Sequence, residues 1–238
     1  MGPRDAAVET ARQLERALGP RLRSVILYGS VARDEYIHGR SDVNLLLLLD
    51  DVDSRAIALA APVTASMAAA RVNPLVLEWD DRTRAADVFG IELLDLRDAH
   101  ETLFGINPFI DLIINRAALR LQCEGELRAK LLGLHSAMLH AREDAAFLGQ
   151  LLINALPSFA TYLRAVLRLA GQPVPATTRT VIEAGCARVL ADPAGLIAAL
   201  EARIANKAWK LDLDNPFVEA YRAACERTAR WVDEFSGD

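Results

Sequence analysis

Two short apolar runs separated by a polar spacer constrain this chain more than anything else in it. Ser24-Val25-Ile26-Leu27 ends in Tyr28-Gly29-Ser30, and twelve residues beyond Ser30 comes Asp42-Val43-Asn44, which leads into Leu45–Leu49. Apolar runs this short, bounded by Gly, Ser and Asp, read as strands. Strand side chains alternate with a period of two, so Asp42 and Asn44 share a face. Gly29 stands where the chain must turn sharply and where a close-approaching group leaves room for no side chain. Ser30 offers a hydroxyl and backbone N–H groups. A helix begun at Val31 would aim unpaired N–H groups at an anion. Two oxygen ligands on one face can grip a magnesium ion beside a phosphate. The stretch therefore reads as a nucleotide phosphate site, with Gly29 and Ser30 on phosphate and Asp42 and Asn44 at the metal.

Over roughly residues 21–51 the chain resembles the nucleotidyltransferase superfamily, whose members include the aminoglycoside and kanamycin nucleotidyltransferases and, more distantly, DNA polymerase β. Leu27-Tyr28-Gly29-Ser30-Val31-Ala32-Arg33 and Gly39-Arg40-Ser41-Asp42-Val43 carry the resemblance. The family pattern is Gly-Ser, about ten spacer residues, then Asp-x-Asp or Asp-x-Glu. The resemblance implies an α/β (α+β) N-terminal nucleotidyltransferase-like domain with a mixed sheet, followed by an all-α helical bundle. It also implies an NTP, ATP first, as ligand, Mg2+ as cofactor, and catalytic roles at Asp42 and Asn44. A homodimer is one assembly such two-domain proteins use.

The departure from the pattern carries the functional argument. The second acid of the pair is Asn44. The third carboxylate falls on Asn73 when the run from Arg71 to Trp79 is set beside the aminoglycoside members; a shifted register brings Glu78 forward instead, with its face reversed. On the first alignment two of three carboxylates are amides. Unit charges about 4 Å apart interact by roughly 4 kcal/mol at an effective dielectric of about 20, so losing two charges weakens a divalent-ion site severely. An amide oxygen still coordinates a hard cation, and the triphosphate can carry its own magnesium. In-line transfer suffers more, because it needs two metals and a base.

Composition narrows the partners. With 238 residues, 52% of them hydrophobic, the chain can bury a large core as one large or two small domains. A net charge of −5 with no Lys/Arg block argues against a nucleic-acid partner and for a small-molecule acceptor or a protein. The longest aliphatic stretch, Leu45–Leu49, is too short to cross a membrane. No apolar leader follows Arg4 and Asp5, and Cys123, Cys186 and Cys225 fit reduced, packed thiols, so a cytoplasmic location is expected.

Periodicity divides the chain into an N-terminal domain, 1–105, and a helical domain, 106–238. A helix over residues 4–18 stops at Gly19-Pro20. Strands are expected at 24–28, 43–49, 75–79 and 91–96, with a short helix after Ser30, an Ala-rich helix from a Ser54 cap to about Ala70, a brief helix after the acidic turn Asp80-Asp81 and a short helix near 99–104. Beyond Pro108 a helix of nearly thirty residues carries Ile110, Ile114, Leu121, Leu132 and Leu139 on one face, and helices follow from about 143 to 169, 178 to 190, 193 to 206 and 216 to 235.

Remaining polar residues bear two readings each. Glu124 and Arg128 lie four apart on that long helix and form either an intrahelical pair or, if the face meets the cleft, a general base and a phosphate contact. The base role comes from the resemblance, since a C-domain Glu serves the kanamycin enzyme. Arg33 and Arg40 flank the Gly-Ser loop and either grip phosphate or remain solvated. Trp209 lines a base or acceptor pocket, or packs at a rim. Two functions follow: a nucleotide-binding protein whose transfer is impaired or lost and which senses nucleotide or binds a partner, or an active enzyme moving a nucleoside monophosphate to a hydroxyl.

Overall fold

The computed structural model describes residues 1–141 and 144–236. The chain divides into two compact units, Met1–Ile114 and Asn115–Asp238. The first is built on a four-stranded sheet of order β3-β2-β1-β4, with β1 Leu22–Tyr28, β2 Val43–Leu49, β3 Val72–Glu78 and β4 His100–Gly105. β1 is antiparallel to β2 and to β4, whereas β2 and β3 run parallel.

The leucine run of β2 reflects burial on both faces, as parallel-paired central strands require. Leu45, Leu47 and Leu49 pack with Val25 and Leu27 of β1, with Ala7, Ala11 and Leu14 of α1 (Pro3–Leu18), and with Ala56 and Ala60 of α2 (Ser54–Ser66). Leu46 and Leu48 pack with Ile26 on the opposite face, under Leu93 and Leu96 and under Phe109 and Leu112. Phe109 and Leu112 thereby tie the segment after Gly105 to the first unit. Pro74 sits within β3, where an edge strand tolerates a residue that cannot donate to the ladder.

Several expectations are corrected. The cap of α2 is Asp53, whose carboxylate accepts from the Ala56 N–H at 2.7 Å, rather than Ser54. Residues 91–96 are helix, not strand: they lie in α4 (Gly90–Asp98), which follows the short α3 (Asp81–Arg84). The following segment is the edge strand β4 and not a helix. Ile91, Leu93, Leu94 and Leu96 satisfy helical spacing as well as they suit a buried run, and Thr102 and Phe104 suit the strand that pairs with β1. No regular helix follows Ser30; residues 29–35 form a helical turn, with Arg33 N donating to the Gly29 carbonyl at 3.0 Å and Glu35 N to that of Ser30 at 2.8 Å.

The second unit is helical: α5 Arg116–His140, α6 Ala145–Leu169, α7 Thr178–Arg188, α8 Ala194–Ala205 and α9 Pro216–Glu234. The expected start of α6 at Glu143 lies outside the described residues. α5 begins later than expected, because Asn115 caps it with bonds from the N–H groups of Ala117 and Ala118. Its buried face is also different. Leu119, Cys123, Leu127 and Leu134 are buried, while Leu121, Leu132 and Leu139 are exposed. α6 is long and apolar enough to cross a membrane by length and composition alone; its Leu152, Leu156, Phe159 and Leu163 are buried inside the bundle. Gly149 of α6 is required by close approach: a Cβ there would lie 1.6 Å from the carbonyl oxygen of Trp209, which packs against this helix.

Candidate nucleotide site

The ends of the four strands place one side chain each in a row across a single face of the sheet. Asn44 of β2 is in register with Asn73 of β3 and with Tyr28 of β1, and Tyr28 is in register with His100 of β4. Residues paired in this way share a face. The run Asn73, Asn44, Tyr28, His100 is therefore a polar end of the face that carries Ile26, Leu46 and Leu48. Burial pushes the Tyr28 phenol above its ordinary value. His100 stacks edge-on against Phe109 at 4.8 Å and holds Nδ1 at 2.8 Å from the Arg97 carbonyl.

Gly29 follows Tyr28 directly. Its φ of +77° belongs to the left-handed region, and a Cβ built on it would lie 2.9 Å from the Asn44 amide nitrogen. Both facts require glycine. Among the described residues the N–H groups of Ser30, Val31 and Ala32 donate to no backbone carbonyl, because the bonds of the turn begin at Arg33. The turn is braced from α1 by Arg4, which donates to the Val31 carbonyl at 3.2 Å.

Asp42 precedes β2 at the end of a closed loop. Ile37 N donates to the buried Ser41 hydroxyl at 3.0 Å, and Ser41 N donates to the Ile37 carbonyl at 2.9 Å. Val43 and Val72 begin the β2–β3 register, so Asp42 and Arg71 continue it by one residue. Their side chains meet: Arg71 Nε and Nη2 lie 2.9 and 2.8 Å from Asp42 Oδ1, and Nη1 reaches the Gly39 carbonyl at 3.4 Å. The Arg71 carbonyl accepts from Val43 N at 2.9 Å.

The structure thus brings Gly29, Asp42, Asn44 and Asn73 together. It separates Glu78 from them: Glu78 pairs with Leu49 at the other end of β3, about 16 Å away along the strand, and accepts from Val52 N. Arg33 is turned away from the turn's open side. Its Nη2 bonds the Asp95 carboxylate at 2.9 Å and the Asp95 carbonyl at 3.0 Å, with 8% of its side chain exposed. Asp95 lies inside α4. Arg40 stays on the 37–42 loop, its N–H donating to the Ile37 carbonyl.

Glu124 belongs to the second unit. Its carboxylate is shared between Arg120 at 3.0 Å and Arg128 at 3.3 Å, and both arginines continue onto α9, at the Val232 carbonyl and the Asp233 carboxylate. These contacts hold the Arg128 guanidinium more firmly charged than usual.

Magnesium, which the sequence resemblance implies, takes oxygen donors rich in carboxylate. Of Asp42, Asn44 and Asn73, Asp42 alone is a carboxylate and it already meets a guanidinium; the two in-register oxygens are amides. Among the described residues no three His, Cys, Asp or Glu side chains gather as a metal site. The residues present do not fit a paired-cation centre. Arg71 is the member of this cluster that sequence reasoning missed. The available signal was its place directly before β3, level with Asp42 directly before β2.

No protein-family model matches the chain, and no curated protein matches it in sequence. Its fold is nevertheless similar to a solved structure, spectinomycin adenyltransferase AAD(9) from Enterococcus faecialis with ATP and spectinomycin. The TM-score is 0.58 at 10% identity, covering 94% of this chain and 98% of that one. The mixed sheet with its helical C-terminal part is thus an α+β nucleotidyltransferase fold.

Proposed function

We propose that this chain binds a nucleoside triphosphate, ATP first, at the Gly29 turn and the adjoining ends of β1, β2 and β3, and that nucleotidyl transfer is impaired or lost. The observation carrying the reading is the in-register pair Asn44–Asn73 beside an Asp42 already held by Arg71. An in-line displacement has to stabilise attacking and leaving oxygens together while a base takes the proton. Two amides and one paired carboxylate supply little of that, and the candidate base Glu124 is shared between two arginines.

Support for the nucleotide comes from the positive-φ glycine, the three free N–H groups beside it and a fold shared with a protein solved with ATP. A protein partner or a small molecule then reads the bound state, and a net charge of −5 disfavours nucleic acid in that role. That same fold likeness, to a structure holding ATP and spectinomycin, favours a second reading: an active transferase with a small hydroxyl-bearing acceptor.

Calorimetry with ATP, CTP and GTP, followed by a pyrophosphate-release assay over a panel of hydroxyl-bearing small molecules, separates the two. Saturable binding without pyrophosphate release is the expected result. Pyrophosphate released on adding an acceptor establishes the second reading, and failure of all three nucleotides to bind removes both.

A further inference from the structure

We infer that the Arg71 guanidinium takes the position of a divalent cation in this site, so that the triphosphate is bound without magnesium. The inference rests on the nucleotide reading above and adds how the phosphates are neutralised. Its starting point is charge. Three carboxylates at this place would repel a triphosphate unless cations intervened, whereas Asp42 with Arg71, Asn44 and Asn73 sums to zero formal charge. The positive member is built into the chain.

Geometry agrees. Nε, Nη2 and Nη1 of Arg71 meet the Asp42 carboxylate and the Gly39 carbonyl, which leaves two of a guanidinium's five N–H donors for an external acceptor. The side chain as a whole is 45% exposed, at the surface and not sealed in the fold. A guanidinium edge matches phosphate oxygens bidentately, as an ammonium cannot.

A structural explanation of the pair is weak on two counts. Ion pairs this exposed contribute little to stability. Arg71 also adopts φ +56°, a left-handed conformation at the end of the short helical turn 68–70, where glycine or asparagine is the comfortable residue. An arginine kept in an uncomfortable backbone position, for an ion pair of little structural value, points to its head group as the reason it is there.

The test is titration of ATP into the full-length protein, once in excess EDTA and once in magnesium. Wild type is expected to bind with affinities within about threefold of each other in the two buffers, and Arg71→Gly to lose about tenfold or more in EDTA. Asp42→Asn provides an opposite sign. It stops neutralising Arg71 and tightens binding in EDTA, whereas a metal-ligating Asp42 would make the same change weaken binding in magnesium. Binding seen only with magnesium, or an unaffected Arg71→Gly, overturns the inference and leaves the nucleotide reading standing. No binding in either buffer overturns both.

Discussion

Two arginine–aspartate pairs close the two ends of the loop between β1 and β2, and their distances are nearly the same. Arg33 meets Asp95 at 2.9 Å and Arg71 meets Asp42 at 2.8 Å. Their surroundings differ. The first pair is 8% and 23% exposed and also takes the Asp95 backbone carbonyl; the second is 45% and 44% exposed. Distance alone therefore says nothing about role. A buried pair left with one member strands a charge away from water, while an exposed pair is solvated whether or not it forms. Arg33 is part of the fabric that fixes the Gly29 turn to α4, and Arg71 is a charge available to something outside the chain.

The contrast is broken most directly at its buried end. Arg33→Ala takes from the mostly buried Asp95 carboxylate the guanidinium that meets it at 2.9 Å, at an expected cost of about 2–3 kcal/mol in urea unfolding. A loss below about 1 kcal/mol would place this pair with the exposed ones and remove the distinction.

Gly29→Ala comes next. The left-handed backbone costs about 1–2 kcal/mol with a side chain present, and the new methyl stands 2.9 Å from the Asn44 amide, which has to swing away. The expected outcome is lower stability together with weaker ATP binding, since the turn and the Asn44–Asn73 row move as one. Stability lost with ATP affinity intact would dissociate the turn from the site.

Asn44→Asp with Asn73→Glu places two acids at the in-register pair. Like charges directly opposite across β2 and β3 destabilise by up to about 1 kcal/mol, and a divalent ion relieves them. Melting of the double variant is expected to rise on adding magnesium, whereas the wild type is expected not to respond. A magnesium-dependent rise in the wild type would mean that the amides and Asp42 already hold the ion despite Arg71.

Legibility from sequence followed the same divide between what is local and what depends on a neighbour. β1, β2 and the Gly29 turn were readable because short bounded apolar runs and a glycine at a turn are local signals. α4 and β4 were exchanged because a short apolar run such as Ile91 to Leu96 fits a buried helix and a buried strand alike, and the β1 edge that recruits residues 100–105 is remote in sequence. On α5 leucines occur all round the helix, so the buried stripe Leu119, Cys123, Leu127, Leu134 was chosen by α6 and α9 and not by spacing. The thiols illustrate the readable case. Burial pushes the Cys123 and Cys186 thiols up to about 12 and raises the Cys225 thiol as well, consistent with three packed, unpaired cysteines. Arg33 was legible only as a loop charge and Arg71 was missed, because which aspartate each one meets, and how deeply, is decided by packing.

The smallest expected effect is the most informative about Arg71. Arg71→Gly removes an exposed ion pair worth about 0–1 kcal/mol and relieves a left-handed non-glycine backbone worth about 1 kcal/mol, so the two contributions offset each other. Unfolding midpoints of wild type and variant are expected to agree within about 0.5 kcal/mol of stability, a difference ordinary for surface substitutions. Near-neutral stability combined with lost ATP affinity would assign the guanidinium to the ligand and not to the fold. A loss of about 2 kcal/mol or more would put Arg71 beside Arg33 as a structural clasp, because only a buried, well-partnered charge costs that much to remove.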